Sequence, residues 1–165
     1  MSKNPLIIFE GGEGTGKTTH INYVANYLSK IKKKFIKIRE PGGSNNSEKI
    51  RKLLLNSKSN FNNKTDLLLY LAARSENIEK IISKYYKKRI IIVDRFIHST
   101  LAYQHYGMGI NKTLINNINS FLLGGIKPDF TFINKVSKKN LIKRLKKRKI
   151  KNRYDKFNYS FYKKV

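Results

Sequence analysis

The chain has 165 residues, of which 39% are hydrophobic, including 10 Tyr and 9 Phe, so it suits one folded domain with a core. The absence of cysteine excludes a disulfide framework and a thiolate metal site, and no apolar run approaches the ~20 residues of a membrane span. The net charge of +26 comes from lysines spread along the whole chain, so we expect a generally basic surface and no nucleic-acid partner. The opening residues do not fit a signal peptide, and we expect a cytoplasmic protein with no membrane association.

Short apolar and β-branched runs alternate with helical patterns along the chain. The runs predict strands over residues 6–9, 35–38, 89–93 and 130–133. Helical patterns cover residues 18–31, 47–55, 66–85, 97–106, 112–123, 138–148 and 154–165. This alternation predicts an α/β fold of three layers, with a parallel sheet flanked by helices, in a single domain over residues 1–165.

A glycine-rich loop lies between the first predicted strand and the first predicted helix. Glycines let backbone N–H groups converge on phosphates, and the following helix adds its positive N-terminal end. We expect Lys17 to reach the β- and γ-phosphates of a nucleoside triphosphate and the Thr18 hydroxyl to bind Mg²⁺. The alternative, a flexible glycine turn, does not account for the strand before the loop and the helix after it. The residues that match the phosphate-binding pattern G-x-x-x-x-G-K-[ST] are Gly11, Gly12, Glu13, Gly14, Thr15, Gly16, Lys17 and Thr18.

Polar residues also follow the second and third predicted strands, at the edge where open α/β sheets bind ligands. The first group runs from Arg39 to Gly43 and includes Pro41, and the second is Asp94-Arg95. We expect Asp94 to face the metal and Arg95 to bind a second phosphate with both arms of its guanidinium. The alternative is an ion pair at the strand end. No N-K-x-D motif for reading guanine occurs, which argues against a GTPase.

Helical spacing groups further candidates. Tyr70 and Arg74 are four residues apart and therefore share a helix face. Arg74 adjoins an apolar stripe, where a charged side chain must be paired or face a pocket. A second helix carries two such polar stripes: Arg95, Ser99 and Tyr103 in one, Thr100 and Gln104 in the other.

These motifs together resemble those of the bacterial thymidylate kinases (dTMP kinases). The similarity covers nearly the whole chain, and the motifs follow the family's order. They are the segment from Phe9 through the glycine-rich loop to Thr19, Arg39 to Gly43, Leu69 to Arg74, Asp94 to Gln104, and Lys127-Pro128-Asp129.

The resemblance implies a P-loop NTPase-type fold and a transferase that moves the γ-phosphoryl group of ATP to dTMP, giving dTDP for nucleotide biosynthesis. Mg²⁺ would be the cofactor, ATP and dTMP the substrates, and a homodimer the expected assembly. The implied substrate-binding roles are Glu13 at the 3′-hydroxyl, Tyr70 stacked on thymine, Arg74, Thr100 and Gln104 at the polar edge of the base, Tyr103 against a 2′-hydroxyl, and Arg95 with Arg39 on the acceptor phosphate. Pro41 and Ser99 belong to the same predicted site.

A basic segment near the end of the chain is similar to the family's lid, which we expect over residues 144–155. The phosphate loop has no arginine between Gly11 and Lys17, and in family members of that class a lid arginine acts on the transferring phosphoryl group. We expect Arg148 and Arg153 to take this catalytic role beside Lys17 and Arg95. An ordinary solvated basic helix is the alternative.

Two departures from the family are visible. Family members run longer, so we expect the final strand and helix of the fold to be absent. Asn134-Lys135 stands where the family usually has a Leu-Asp pair. Other functions stay open: another P-loop nucleotide or nucleoside kinase, a basic nucleic-acid-binding P-loop protein regulated by ATP, or an inactive fragment.

Overall fold

A parallel sheet of four strands forms the centre of the protein, as seen in a computed structural model that describes residues 3–146, 152–157 and 159–165. The strands are β1 (Leu6–Glu10), β2 (Phe35–Arg39), β3 (Ile90–Asp94) and β4 (Phe130–Ile133). They lie in the order β2-β3-β1-β4, and every neighbouring pair is parallel. The predicted strands are confirmed to within a residue at each end.

The strand register brings the candidate polar residues to one edge of the sheet. Phe9 lies beside Asp94, and Arg39 lies beside the same Asp94 from the other side. Because the strands are parallel, their carboxyl ends all reach this edge, and Glu10 and Arg95 follow there as well. The sheet therefore assembles the ends of β1, β2 and β3 into one site.

The helices are α1 (Lys17–Lys30), α2 (Asn45–Leu55), α3 (Asn63–Asn77), α4 (Ser83–Tyr85), α5 (Ile97–Thr100), α6 (Lys112–Leu123), α7 (Lys138–Lys146) and α8 (Tyr159–Lys164). A π-helical segment, Ile78–Ile82, joins α3 to α4, and a second one, Leu101–Gly107, continues α5. A 3₁₀ turn spans Arg153–Lys156. The prediction of one helix over 154–165 was therefore wrong, and residues 147–148 of the predicted basic helix lie outside the described residues.

The hydrophobic core lies on both faces of the sheet, because β3 alternates its buried side chains between them. Ile90 and Ile92 pack on one face with Ile21 and Leu28 of α1. Ile91 and Val93 pack on the other face, in a cluster with the first π segment that includes Ile78 and Ile82. The predicted three-layer α/β architecture is confirmed. No helix among the described residues combines the length and the apolar character that crossing a membrane requires.

Candidate active site

The phosphate loop runs from the end of β1 to the start of α1, as predicted. Gly11 has a φ of 135°, which favours glycine, and a Cβ atom there would lie 2.5 Å from the backbone oxygen of Asn134. Glycine is therefore required at this position by backbone conformation and by space. The loop packs directly against the segment that follows β4.

Lys17 lies at the centre of this loop. Its Nζ donates hydrogen bonds to the backbone oxygens of Gly11 at 2.8 Å and Gly12 at 2.9 Å. Burial, and to a smaller extent the charge of Arg95, lowers the pKa of Lys17 to about 8. The nearby Asp94 acts in the opposite direction. The ammonium group is thus desolvated and held where it can act on a bound anion.

A cleft of about 670 Å³ opens over the loop. Arg144 of α7 reaches it and donates a hydrogen bond of 2.8 Å from Nη1 to the backbone oxygen of Gly14. Arg144 lies within the predicted lid, but the sequence analysis did not select it, because nothing in the sequence separates it from its basic neighbours. The cleft is lined by Gly14, Thr15, Gly16, Lys17, Thr18, Thr19, His20, Lys135, Val136 and Arg144.

Glu10, which the sequence analysis did not select, organises the opposite side of the loop. Its buried carboxylate accepts hydrogen bonds from the backbone N–H of Phe96 at 2.8 Å and from the hydroxyl of Ser99 at 2.5 Å. These bonds fix the start of α5 against the end of β1. Arg95 lies in the turn between β3 and α5 with a φ of 70°, and its guanidinium is 5.5 Å from the centre of the Tyr103 ring.

Asp94 is the predicted metal-facing acid. Its Oδ1 is buried and has no hydrogen-bond partner among the residues that the structure describes. The charge of Asp94 opposes the lowering of the Lys17 pKa, and Thr18, the next residue in the chain, lines the cleft. A carboxylate oxygen and a hydroxyl are the ligand types that Mg²⁺ takes, so these residues fit a magnesium ion carried by a nucleotide. The described residues hold no group of three or more acidic, His or Cys side chains that would bind a metal without substrate.

A second cavity, of about 130 Å³, lies on the other side of the phosphate loop. Most of the predicted substrate-binding residues line it, whereas Arg39 does not. Arg39 is largely exposed and pairs with Glu48 at 3.4 Å. The predicted residues that line the cavity are Glu13, Pro41, Tyr70, Arg74, Arg95, Ser99, Thr100, Tyr103 and Gln104.

Arg51 of α2, which the sequence analysis did not select, lines this cavity, whereas Arg39 does not. Its Nη1 donates a hydrogen bond of 2.5 Å to the backbone oxygen of Pro41. Burial, and then the neighbouring charge of Arg39, lowers the pKa of Arg51. Arg51 was missed because it lies within a helix rich in basic residues, where a solvated role is the ordinary expectation.

Arg74 is almost fully buried, with 2% of its surface exposed. It forms an ion pair of 2.7 Å with Glu40 and donates hydrogen bonds to Asn119 at 2.6 Å and Thr100 at 2.9 Å. The expectation that this charge must be paired or face a pocket is met in both ways. Burial nevertheless raises the pKa of Glu40 above its ordinary value, in spite of Arg74. The sequence did not identify Glu40 or Asn119 as partners.

Tyr154 closes the far end of the cavity. Its ring makes edge-on contacts with Tyr70 at 6.1 Å and Tyr103 at 5.7 Å between ring centres. Its hydroxyl donates to the buried carboxylate of Asp66, 2.9 Å away. Burial raises the pKa of Tyr154 well above the ordinary value for tyrosine. The sequence analysis did not select Tyr154 as a cavity residue. The one signal in the sequence was its position as an aromatic residue inside a basic segment.

Arg153 does not lie beside the phosphate loop in this structure. It is 7% exposed, forms a buried ion pair with Asp66, and its guanidinium lies 5.3 Å from the centre of the Phe61 ring. In this structure the buried Asp66 carboxylate takes the charge of Arg153 as its partner, and the catalytic role of Arg153 stays a prediction. The other predicted lid arginine, Arg148, lies outside the described residues.

Comparison with known proteins places the chain in a family. The family model described as thymidylate kinase matches residues 9–165. The thymidylate kinase of Clostridium novyi is 39% identical over 170 residues, covering 100% of this chain and 82% of the relative. The thymidylate kinase of Thermosipho africanus is 37% identical, covering 97% of this chain and 80% of the relative.

A solved structure supports the same conclusion at the level of the fold. The crystal structure of thymidylate kinase from Ehrlichia chaffeensis superposes with a TM-score of 0.75 and is 39% identical, covering 86% of this chain and 82% of the other. The P-loop NTPase-type fold predicted from the sequence is thereby confirmed. By sequence along almost its whole length and by structure, this chain is a member of the thymidylate kinase family.

Proposed function

We propose that this chain transfers the γ-phosphoryl group of ATP to dTMP and releases dTDP and ADP. The observation that carries the proposal is the position of two cavities on either side of one phosphate loop. Gly14 lines the cleft on the donor side, and the adjacent Glu13 lines the cavity on the acceptor side. Two nucleotides bound in these cavities would meet with their phosphates at Lys17.

The donor nucleotide binds in the cleft over the loop. The loop amides and the start of α1 hold its phosphates, and Lys17 places a positive charge between donor and acceptor. Thr18 and Asp94 are the residues that would hold Mg²⁺, which neutralises charge on the β- and γ-phosphate oxygens when bound. Both substrates are polyanions, so fixed cations in a site that excludes water supply most of the catalysis.

The acceptor binds in the smaller cavity. Arg95 and Arg51 bind its phosphate, and Glu13 lies where it can accept a hydrogen bond from the sugar. Tyr70 stacks on the base, and Arg74 donates to a carbonyl oxygen of the base. The ring of Tyr103 occupies space beside the sugar, which disfavours a ribonucleotide. Holding both phosphates in line removes much of the entropic part of the barrier.

The predicted lid, residues 144–155, begins with Arg144, which lines the donor cleft. Arg144 already contacts Gly14, so it is the described lid arginine that is placed to stabilise charge on the transferring group. Closing this segment would also exclude water as a competing acceptor. The cytoplasmic location remains an expectation from the sequence, and the homodimer one from the resemblance.

A coupled assay for ADP release tests the proposal with dTMP, dUMP, dCMP and AMP as acceptors. We expect dTMP to be preferred, with the thymine methyl group worth ~1–3 kcal/mol over uracil. Faster turnover of AMP or dCMP would indicate a different nucleotide kinase. The nucleic-acid alternative predicts tight binding to duplex DNA, with the logarithm of the affinity falling steeply as the logarithm of the salt concentration rises. That result, together with no dTMP-stimulated ADP release, would support it.

A further inference from the structure

A buried polar cluster lies at the base end of the acceptor cavity, next to the ring of Tyr154. Its centre is Asp66 of α3, which is 1% exposed. The carboxylate accepts hydrogen bonds from the Tyr154 hydroxyl at 2.9 Å and from Nε2 of Gln104 at 3.0 Å, and it forms the ion pair with Arg153. None of the catalytic steps above uses Asp66.

The contact between Asp66 and Gln104 decides which way the Gln104 amide faces. An ionised carboxylate can only accept hydrogen bonds, so the side-chain NH₂ of Gln104 must turn toward it. The carbonyl oxygen of the same amide must then turn away. Gln104 is one of the residues that line the acceptor cavity. Its Oε1 atom is buried and has no hydrogen-bond partner among the described residues.

A buried acceptor atom that has no hydrogen-bond partner and lies beside a cavity favours a ligand that can donate a hydrogen bond to it. Leaving such an oxygen unpaired costs free energy, whereas a bound group with an N–H recovers it. A 4-oxo pyrimidine such as thymine carries a ring N–H at N3, and a 4-amino pyrimidine such as cytosine has a lone pair there instead. The orientation of one amide can therefore separate the two classes of base.

We propose that Asp66 is a positioning residue that sets base selectivity by holding the Gln104 carbonyl oxygen toward the acceptor. This inference rests on the proposed function for the location of the base. Asp66 itself is not among the residues that line the cavity. Tyr154 and Arg153, at the end of the predicted lid, both contact Asp66, so one cluster holds the end of the lid and orients the amide.

Replacing Asp66→Asn tests this directly. Asparagine can offer its own NH₂ to Gln104 Oε1, which lets the Gln104 amide reverse and present its NH₂ to the cavity. We expect the ratio of kcat/KM for dTMP to kcat/KM for dCMP to fall by ~10- to 100-fold. Asp66→Glu, which keeps an acceptor-only carboxylate, should retain most of the ratio.

Two further variants separate positioning from simple loosening. Tyr162→Phe removes the 2.6 Å hydrogen bond from the Tyr162 hydroxyl to the backbone oxygen of Tyr154 without altering Asp66, so the ratio should stay unchanged. If Asp66→Asn does not fold because Arg153 is left as a buried unpaired charge, the pair Asp66→Asn with Arg153→Met removes that charge. Arg153→Met alone leaves the buried charge on Asp66 without its ion-pair partner, so it is scored by the ratio and not by stability. Tyr154 and Gln104 still donate to the Asp66 carboxylate, so the ratio should be kept.

The outcomes are distinct. A lowered ratio in the Asp66→Asn protein, or in its double variant, with the ratio kept in Tyr162→Phe and Arg153→Met, supports the inference. Equal losses for dTMP and dCMP would overturn it and leave Asp66 a purely structural residue. Absence of dTMP turnover in the unaltered protein would overturn the proposed function itself, which is a separate result.

Discussion

Arg144 on the lid helix donates a 2.8 Å hydrogen bond to the backbone oxygen of Gly14 in the phosphate loop, 130 residues earlier in the chain. This contact joins the basic segment to the loop that separates the two cavities. It places a guanidinium at the donor cleft although the loop itself contains no arginine.

We expect Arg144→Ala to lower kcat by about 10²–10³-fold with a much smaller change in the KM for dTMP, because the lost cation acts on charge in the transition state. The measurement is steady-state kinetics with each substrate varied in turn. Lys139→Ala, on the exposed face of the same helix, is the matched control and should retain kcat. Equal kcat values for the two variants would remove Arg144 from the mechanism.

The lowered pKa of Lys17 predicts how activity depends on pH. Because its pKa is lowered to about 8, the amine loses its charge as the pH rises through that value, whereas an ordinary lysine keeps it to 10.5. Since kcat/KM reports groups of the free enzyme, kcat/KM for ATP should fall above about pH 8. Lys17→Ala should lower kcat/KM by about 10²-fold or more below pH 8, and this deficit should narrow as the pH rises above 8. The control is Lys30→Ala, at the exposed end of α1, which should keep the pH profile of the unaltered protein. If kcat/KM of the unaltered protein did not change with pH, this role for Lys17 would be contradicted.

The acceptor phosphate distinguishes Arg51 from Arg39. Arg51 lines the acceptor cavity, while Arg39 is exposed and paired with Glu48. We expect Arg51→Ala to raise the KM for dTMP by ~10- to 100-fold, the equivalent of one or two charge-assisted hydrogen bonds. Arg39→Ala should change it by only a few-fold. A larger rise in KM for Arg39→Ala than for Arg51→Ala would instead support the sequence-based prediction that Arg39 binds the acceptor phosphate.

The buried pair of Arg74 and Glu40 should matter for folding as well as for binding. Arg74→Met leaves Glu40 buried without its partner, so we expect the free energy of unfolding to fall by ~3–5 kcal/mol. Adding Glu40→Gln should restore part of that loss. Denaturant unfolding measures both variants, and the exposed pair of Arg39 and Glu48 is the comparison, worth at most ~1 kcal/mol. A loss of that small size in Arg74→Met would show that Glu40 does not depend on Arg74.

Much of the fold and half of the site follow from patterns that are local in the sequence. The strand, the glycine-rich loop and the helix around Lys17 are contiguous, and the spacing from Tyr70 to Arg74 lies within one helix. Such patterns depend on backbone geometry and helical periodicity, which a short stretch of sequence already fixes. The helix ends were less accurate, since the π-helical segment at Leu101–Gly107 and the break before α8 have no such signal.

The remaining part of the site depends on partners that are distant in the chain. Asp66 meets Tyr154 across 88 residues, and Arg74 meets Asn119 across 45. The sequence could predict that Arg74 needs a partner, because burying a lone charge is costly, but it could not say which residue supplies one. The pairing of Arg153 with Asp66 has the same origin.

The sequence by itself determined the phosphate loop, the parallel α/β architecture and the family, because these rest on residues adjacent in the chain or regularly spaced along it. Only the tertiary structure decided which arginine lies where: Arg51 in place of Arg39 at the acceptor cavity, Arg144 on the loop, and Arg153 on Asp66. The physical reason is that arginines are chemically alike, and the acceptor each one finds depends on how the helices pack.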